Sequence, residues 1–99
     1  MVQINWTFQA KDDLKSISEY ISRDSKKYAK LQILRIRERT KILKSHLEIG
    51  KIVPELDNET IRELIDGNYR IIYKVVSSGR VDILTVHHSA RDLTNRKVF

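Results

Sequence analysis

Residues 69–76 (YRIIYKVV) form the most β-prone run of the chain and restrict its fold more than any other feature. Tyr69, Ile71, Tyr73 and Val75 alternate onto one face, so the run predicts a strand with an apolar side that must be covered. Turn residues bound it at both ends, Gly67-Asn68 before it and Ser77, Ser78 and Gly79 after it. Extended segments lie beyond these turns, residues 60–66 (TIRELID) and 81–88 (VDILTVHH), so residues 69–76 are expected to be the central strand of a meander. TIRELID carries charge on both faces and is expected at a sheet edge.

The cover comes from the first half of the chain. Val2, Ile4 and Trp6 alternate with Gln3 and Asn5 as a short first strand. Thr7 is placed to cap a helix with Asp12 and Asp13 in its early turns, where the dipole favours acids, and with Ala10, Leu14, Ile17 and Ile21 on one face. This helix is expected to end near Arg23. Asp24 and Ser25 offer capping oxygens to a longer helix with a core stripe of Ala29, Ile33, Ile36, Thr40, Leu43 and Leu47, stopped by Gly50. Residues 51–58, with Pro54, read as a loop. The expected fold is α+β in the order β-α-α-β-β-β, a helical hairpin packed on one face of a small, mostly antiparallel twisted sheet. Ninety-nine residues bury roughly two-thirds of their unfolded surface around one core, so residues 1–99 are expected to form one domain.

The absence of cysteine excludes a disulfide framework and a thiolate zinc site, leaving packing alone to stabilise the domain. The N-terminus enters a strand pattern directly, without a signal-like apolar run, and no apolar stretch approaches membrane-spanning length, so a cytoplasmic location is expected. The net charge of +6 is unevenly placed. Residues 22–46 carry nine Lys/Arg against two acids, residues 47–68 carry two against six, and residues 69–99 carry six against two. Two basic surfaces flanking an acidic connector attract polyanions: nucleic acid, a ribonucleoprotein surface or an acidic protein. The basic helix face taken alone is equally explained as a solvated surface that maintains solubility. No glycine-rich phosphate loop, nucleophile elbow or metal-spaced histidine pair occurs, and no cofactor is expected.

The element order joins a set of short motifs: Asp13-Leu14, Tyr20-Ile21, Val53-Pro54-Glu55, Arg62-Glu63-Leu64, the run from Gly67 to Tyr73, and Val86-x-His88-x-x-Arg91. In this order and spacing the chain resembles the RelE/ParE toxin superfamily over nearly its whole length. The Arg-Glu-Leu, Tyr-Arg-Ile-Ile-Tyr and His-x-x-Arg runs look most like the ParE branch, whose members inhibit DNA gyrase, whereas RelE-like members cleave mRNA in the ribosomal A site. The resemblance implies the toxin of a type II toxin–antitoxin system that arrests bacterial growth, most like a gyrase inhibitor, with an mRNA endonuclease as the alternative. A non-toxic partner-binding or co-repressor domain is the second alternative. It also implies a cognate antitoxin that wraps the toxin, and the basic patches predict that this partner is acidic.

A nuclease of this kind needs a proton acceptor, a donor for the leaving oxygen and cations around the phosphorane. The expected catalytic set is Arg70, His88 and Arg91, with Lys51, Arg62 or Glu63 assisting. Alternation places His87 and His88 on opposite faces, and His88 is favoured for the concave surface because it shares alternation with Leu84 and Val86 and matches the family motif. His88 is equally explained as a hydrogen-bonding residue at the strand's end. Arg70 is either a functional cation or half of an ion pair with Glu63 across the Gly67 turn; an unpaired arginine on a central strand favours function. Arg62 and Glu63 face opposite ways and cannot line one site. The expected target or polyanion contacts are Lys51, Arg62, Arg35, Arg39, Arg96 and Lys97. His46 reads as a dipole-compensating surface residue, and the four tyrosines as packing residues. The segment after His88 has no tyrosine, which weakens the nuclease reading; Phe99 can stack on a base but offers no proton.

Overall fold

The computed structural model describes residues 1–89 and has the α+β architecture that the pattern predicts. Strand β1 (Gln3–Trp6) leads into helices α1 (Phe8–Ser22) and α2 (Lys26–Thr40), followed by a 3-10 turn (Lys41–Lys44) and strands β2 (Lys51–Ile52), β3 (Ile61–Asp66), β4 (Tyr69–Ser77) and β5 (Arg80–His88). The sheet order is β1-β5-β4-β3-β2, antiparallel throughout except for the parallel pair β1 and β5. No helix among the described residues is long and apolar enough to cross a membrane.

The helix starts follow their capping residues. Thr7 Oγ1 accepts from Ala10 N at 3.1 Å and donates to the Ile83 carbonyl at 2.8 Å, so the cap of α1 also ties it to β5. Ser25 Oγ accepts from Tyr28 N at 3.1 Å and opens α2. The α2 end differs from expectation. The Thr40 hydroxyl donates back to the Arg37 carbonyl at 2.7 Å, and the chain tightens into a 3-10 turn instead of continuing as α-helix to Leu47. Leu43 is nevertheless fully buried in the core.

Two apolar clusters cover the two faces of the sheet. The larger lies under the helices, where Ala10, Leu14 and Ile36 meet Leu64, Ile71, Tyr73, Val81, Ile83 and Val86. The smaller lies on the outer face, where the connection between β2 and β3 folds back so that Val53 and Leu56 pack on Ile61, Ile72 and Leu84. The segment expected to be a plain loop is therefore a lid on the sheet, and its first residues form the two-residue strand β2.

Gly50 does not stop α2. It lies where the chain enters β2, beneath the ring of Tyr73, whose hydroxyl accepts from Gly50 N at 3.0 Å and donates to the Leu47 carbonyl at 2.9 Å. A Cβ at Gly50 would lie 2.6 Å from the Glu63 carbonyl oxygen and 2.7 Å from the Tyr73 ring. Burial pushes the Tyr73 phenol above its ordinary value, so it remains a neutral donor through the physiological range.

One irregularity sets the remaining geometry. Tyr73 stands opposite Ile83 but Ile72 stands opposite Thr85, so Leu84 is an extra residue in β5. Ile83 and Val86 both face the helices, while Leu84 turns to the outer face. Asp13 of α1 holds the irregular segment, its carboxylate accepting from the Thr85 hydroxyl and from Val86 N. Asp13 was expected to compensate the helix dipole; instead it is buried against β5.

Gly50→Ala is expected to lower stability by about 1–3 kcal/mol, since neither a backbone carbonyl nor a buried ring can yield easily. Gly79→Ala, where an added Cβ meets nothing within 4 Å, is the matched control and should melt close to wild type. Chemical denaturation of the two variants checks this.

Candidate functional site on the outer face of the sheet

The extra residue in β5 decides which histidine faces where. Beyond it, Arg70 stands opposite His87 and Tyr69 opposite His88. Tyr69 packs against the helix-side core, and His88 meets its ring edge-on at a centroid distance of 5.5 Å. His88 thus shares a face with Val86 but not with Leu84, and it lies on the helix side. His87 is the histidine on the outer face, and at 1% exposure it is fully buried.

Arg70 is the centre of that face. Its Nη1 and Nη2 reach the two carboxylate oxygens of Glu55 at 2.5 and 2.8 Å, and its Nε donates to Glu63 Oε2 at 2.9 Å; Nη2 also donates to Glu63. Glu63 is brought there by register, since it stands opposite Ile72 and so diagonal to Arg70. Glu55 is brought by the folded-back connection. The ion pair expected with Glu63 is present, and a second acid completes it.

The electrostatics follow from this arrangement. Hydrogen bonds from Arg70 hold the Glu55 carboxyl below the ordinary carboxylate value against the opposing effect of burial, with a smaller contribution from the nearby His87. The acids in turn push the Arg70 guanidinium further up, Glu55 being the largest cause. One guanidinium between two acids has no spare positive charge for a phosphate. A phosphate at Arg70 would have to displace a carboxylate already bound in a bidentate pair.

The other expected residues are dispersed. Arg62 lies on the helix side, where Nη1 donates to the carbonyls of Glu48 and Gly50 at 3.1 and 2.9 Å. Lys51, opposite Glu63, is exposed on the short strand β2. Arg35 and Arg39 are exposed on α2, and Arg39 Nε donates to the Ile65 carbonyl at 3.2 Å. His46 is exposed beside Ser45, with Nδ1 and Oγ 3.0 Å apart. Arg91, Arg96, Lys97 and Phe99 lie outside the described residues. Arg70 and Glu63 are brought together; His88 and Arg62 are on the opposite side of the sheet from them.

Sequence reasoning did not find Glu55, Asp13 or the position of His87. Val53 and Leu56, two apolar residues flanking Pro54-Glu55, were the available signal that this connection folds onto the sheet. For Asp13 the sequence offers none, because its partners are 72 and 73 residues away. Among the described residues no group of three or more His, Cys, Asp or Glu is placed to hold a metal ion.

Residues 4–93 match the model of the ParE toxin of type II toxin–antitoxin system, parDE. The chain belongs to the ParE toxin family. This ParE-family protein is 32% identical over 91 residues to Toxin RelE2 of Caulobacter vibrioides, covering 92% of this chain and 99% of the relative. Its fold is shared with the chromosomal ParDE toxin–antitoxin system from P. aeruginosa, at a TM-score of 0.73 and 22% identity, covering 89% of this chain and 96% of that one. It is shared too with the RelBE2 toxin–antitoxin complex from Mycobacterium tuberculosis, at a TM-score of 0.62 and 20% identity, covering 88% and 96%.

Because its folded value is depressed, Glu55 contributes stability that is fully present above the ordinary value of 4.5 and is lost as pH falls through the lower folded value. The clamp should therefore hold from neutrality down to about pH 5 and weaken only in stronger acid. Glu55→Gln should cost about 1.5–3 kcal/mol near neutrality and flatten the acid limb of the stability profile. Urea melts across the pH range measure both.

Proposed function

We propose that this ParE-family chain is the growth-arresting toxin of a type II toxin–antitoxin pair and acts by binding DNA gyrase, breaking no bond itself. The observation that carries the reading is the state of Arg70. A phosphorane-stabilising cation must be free to meet developing negative charge, and this one is held by Glu55 and Glu63 on a lidded face. The favoured acid–base partner, His88, is on the other side of the sheet. The exposed basic face of α2, together with Arg96 and Lys97, supplies the surface for a large acidic target. An acidic antitoxin neutralises the toxin by covering the same charge.

The alternative is a ribosome-dependent mRNA endonuclease. One relative of 32% identity bears the name RelE2, and His87 stands directly opposite Arg70. That reading requires the lid to lift and Glu55 to release Arg70 before RNA can approach.

Induced expression without antitoxin, with DNA, RNA and protein synthesis followed separately by pulse labelling, tests the two. The gyrase reading expects DNA synthesis to fail first, with filamentation, and expects the purified protein to inhibit supercoiling by gyrase. His88→Ala and His87→Ala should leave that inhibition within about twofold of wild type. A prompt fall in protein synthesis with truncated messages sinks the gyrase reading, and unhindered growth with soluble protein sinks the toxin reading altogether.

A further inference from the structure

Helix α2 has two unlike flanks above the sheet. On the flank toward β3, Arg39 Nε donates to the Ile65 carbonyl and the Gln32 amide donates to Asp66 at 3.0 Å. Tyr28 and Arg35 fall on that side by helical spacing, and Leu31, Leu34 and Ile42 line an apolar groove there. The flank toward β1 is a row of cations. Lys26, Lys30, Arg37 and Lys41 are separated by four, seven and four residues, so they share one face, and all are exposed. The Arg37 guanidinium over the Trp6 ring at 5.0 Å fixes that face as the β1 side.

From Lys26 to Lys41 the row rises about 22 Å along the helix axis, at about 1.5 Å per residue. Lys44 follows, exposed, in the 3-10 turn, which lies beside β1. The turn of helix between Lys30 and Arg37 is filled by Ile33, packed on the core, and by Leu34, which lines the groove of the other flank. One acid lies near the row, Glu38, paired with Lys41 at 2.7 Å. Both side chains of that pair are more than half exposed, so an external anion replaces Glu38 at little cost. Among the described residues no carboxylate pairs with Lys26, Lys30 or Arg37.

Shape and chemistry select the ligand of this row. Single-stranded nucleic acid needs rings on which its unstacked bases can lie. The ring beside the row, Trp6, has Arg37 over it and packs against the core, and Tyr28 is on the far flank. A protein partner is anchored by apolar side chains in pockets, whereas this flank is a convex ridge of charge. Duplex DNA needs only the cations. It presents one negative charge per about 1.7 Å of axis, so a length of about 22 Å sets about a dozen phosphates along the row. We infer that Lys26, Lys30, Arg37 and Lys41 bind the phosphate backbone of double-stranded DNA, without regard to its sequence. The inference deepens the gyrase reading and rests on it: the toxin touches the DNA that gyrase handles as well as the enzyme.

The test titrates the purified chain into a labelled duplex of about 20 base pairs and follows anisotropy from roughly 50 to 200 mM salt. The four contacts should contribute about −3.6 to the slope of log affinity on log salt. Lys30→Gln combined with Lys41→Gln should make that slope shallower by about 1.8 and weaken binding at the lowest salt by at least about fivefold. Lys11→Gln combined with Lys15→Gln removes the same charge from exposed positions of α1 and should stay within about twofold of wild type. Glutamine is a good helix former, so both pairs should fold. No duplex binding by wild type at the lowest salt, equal losses in the two pairs, or tighter binding of a single strand of the same length overturns the assignment. Supercoiling assays separate this from failure of the gyrase reading. A chain that inhibits gyrase without binding the duplex refutes the DNA contact alone, whereas one that binds the duplex through the row without inhibiting gyrase supports the contact and refutes that reading.

Discussion

The Asp13 carboxylate, accepting from the Thr85 hydroxyl and the Val86 amide, fixes the point at which β5 changes step. An extra residue in a strand leaves backbone groups out of register with their partners, and in a buried strand that state persists only when something else satisfies them. Here α1 provides it. From Val86 to His88 each side chain is on the face opposite to the one simple alternation assigns. Val86 joins the helix-side core, His87 comes opposite Arg70, and His88 comes against Tyr69. The outer face owes its composition to a residue on the helix layer.

That face shows how the uneven charge is used. Two of the six acids of residues 47–68, Glu55 and Glu63, are taken up by Arg70, and Asp66 accepts from Gln32 at 3.0 Å. The basic side chains of α2 have few comparable partners. Arg37 lies over Trp6, Arg39 holds a carbonyl, and most of the others are exposed. Half of the connector's acids are therefore spent on internal structure, while the basic helix keeps its charge for the outside. The net charge understates how positive the accessible helical surface is.

The strands and helices were legible because each has a clear period and clear end signals. Thr7 and Ser25 cap as expected, and Tyr69, Ile71, Tyr73 and Val75 share a face as expected. What was not legible depends on distance along the chain. The bulge at Leu84 has no local signature, so alternation assigned His88 to the wrong face. Gly50 reads locally as a helix stop, although its small size serves a ring 23 residues away. The Glu63 partner of Arg70 could be inferred across one turn, whereas Glu55 required knowing that a proline-containing connection lies on the sheet. Register across a short hairpin is encoded nearby; the return of a long connection is not.

The parallel pairing of β1 with β5 has a consequence for synthesis on the ribosome. Asn5 Nδ2 donates to Asp82 at 3.2 Å, joining residues 77 positions apart, and the only strand alongside β1 is the last of the described elements to be made. Helices α1 and α2 can form as they emerge, but the apolar side they present has no complete sheet until β5 arrives. The chain therefore passes through most of its synthesis with an uncovered helical hairpin. Its folded surface, and whatever that surface does to the cell, forms only once β5 has been made.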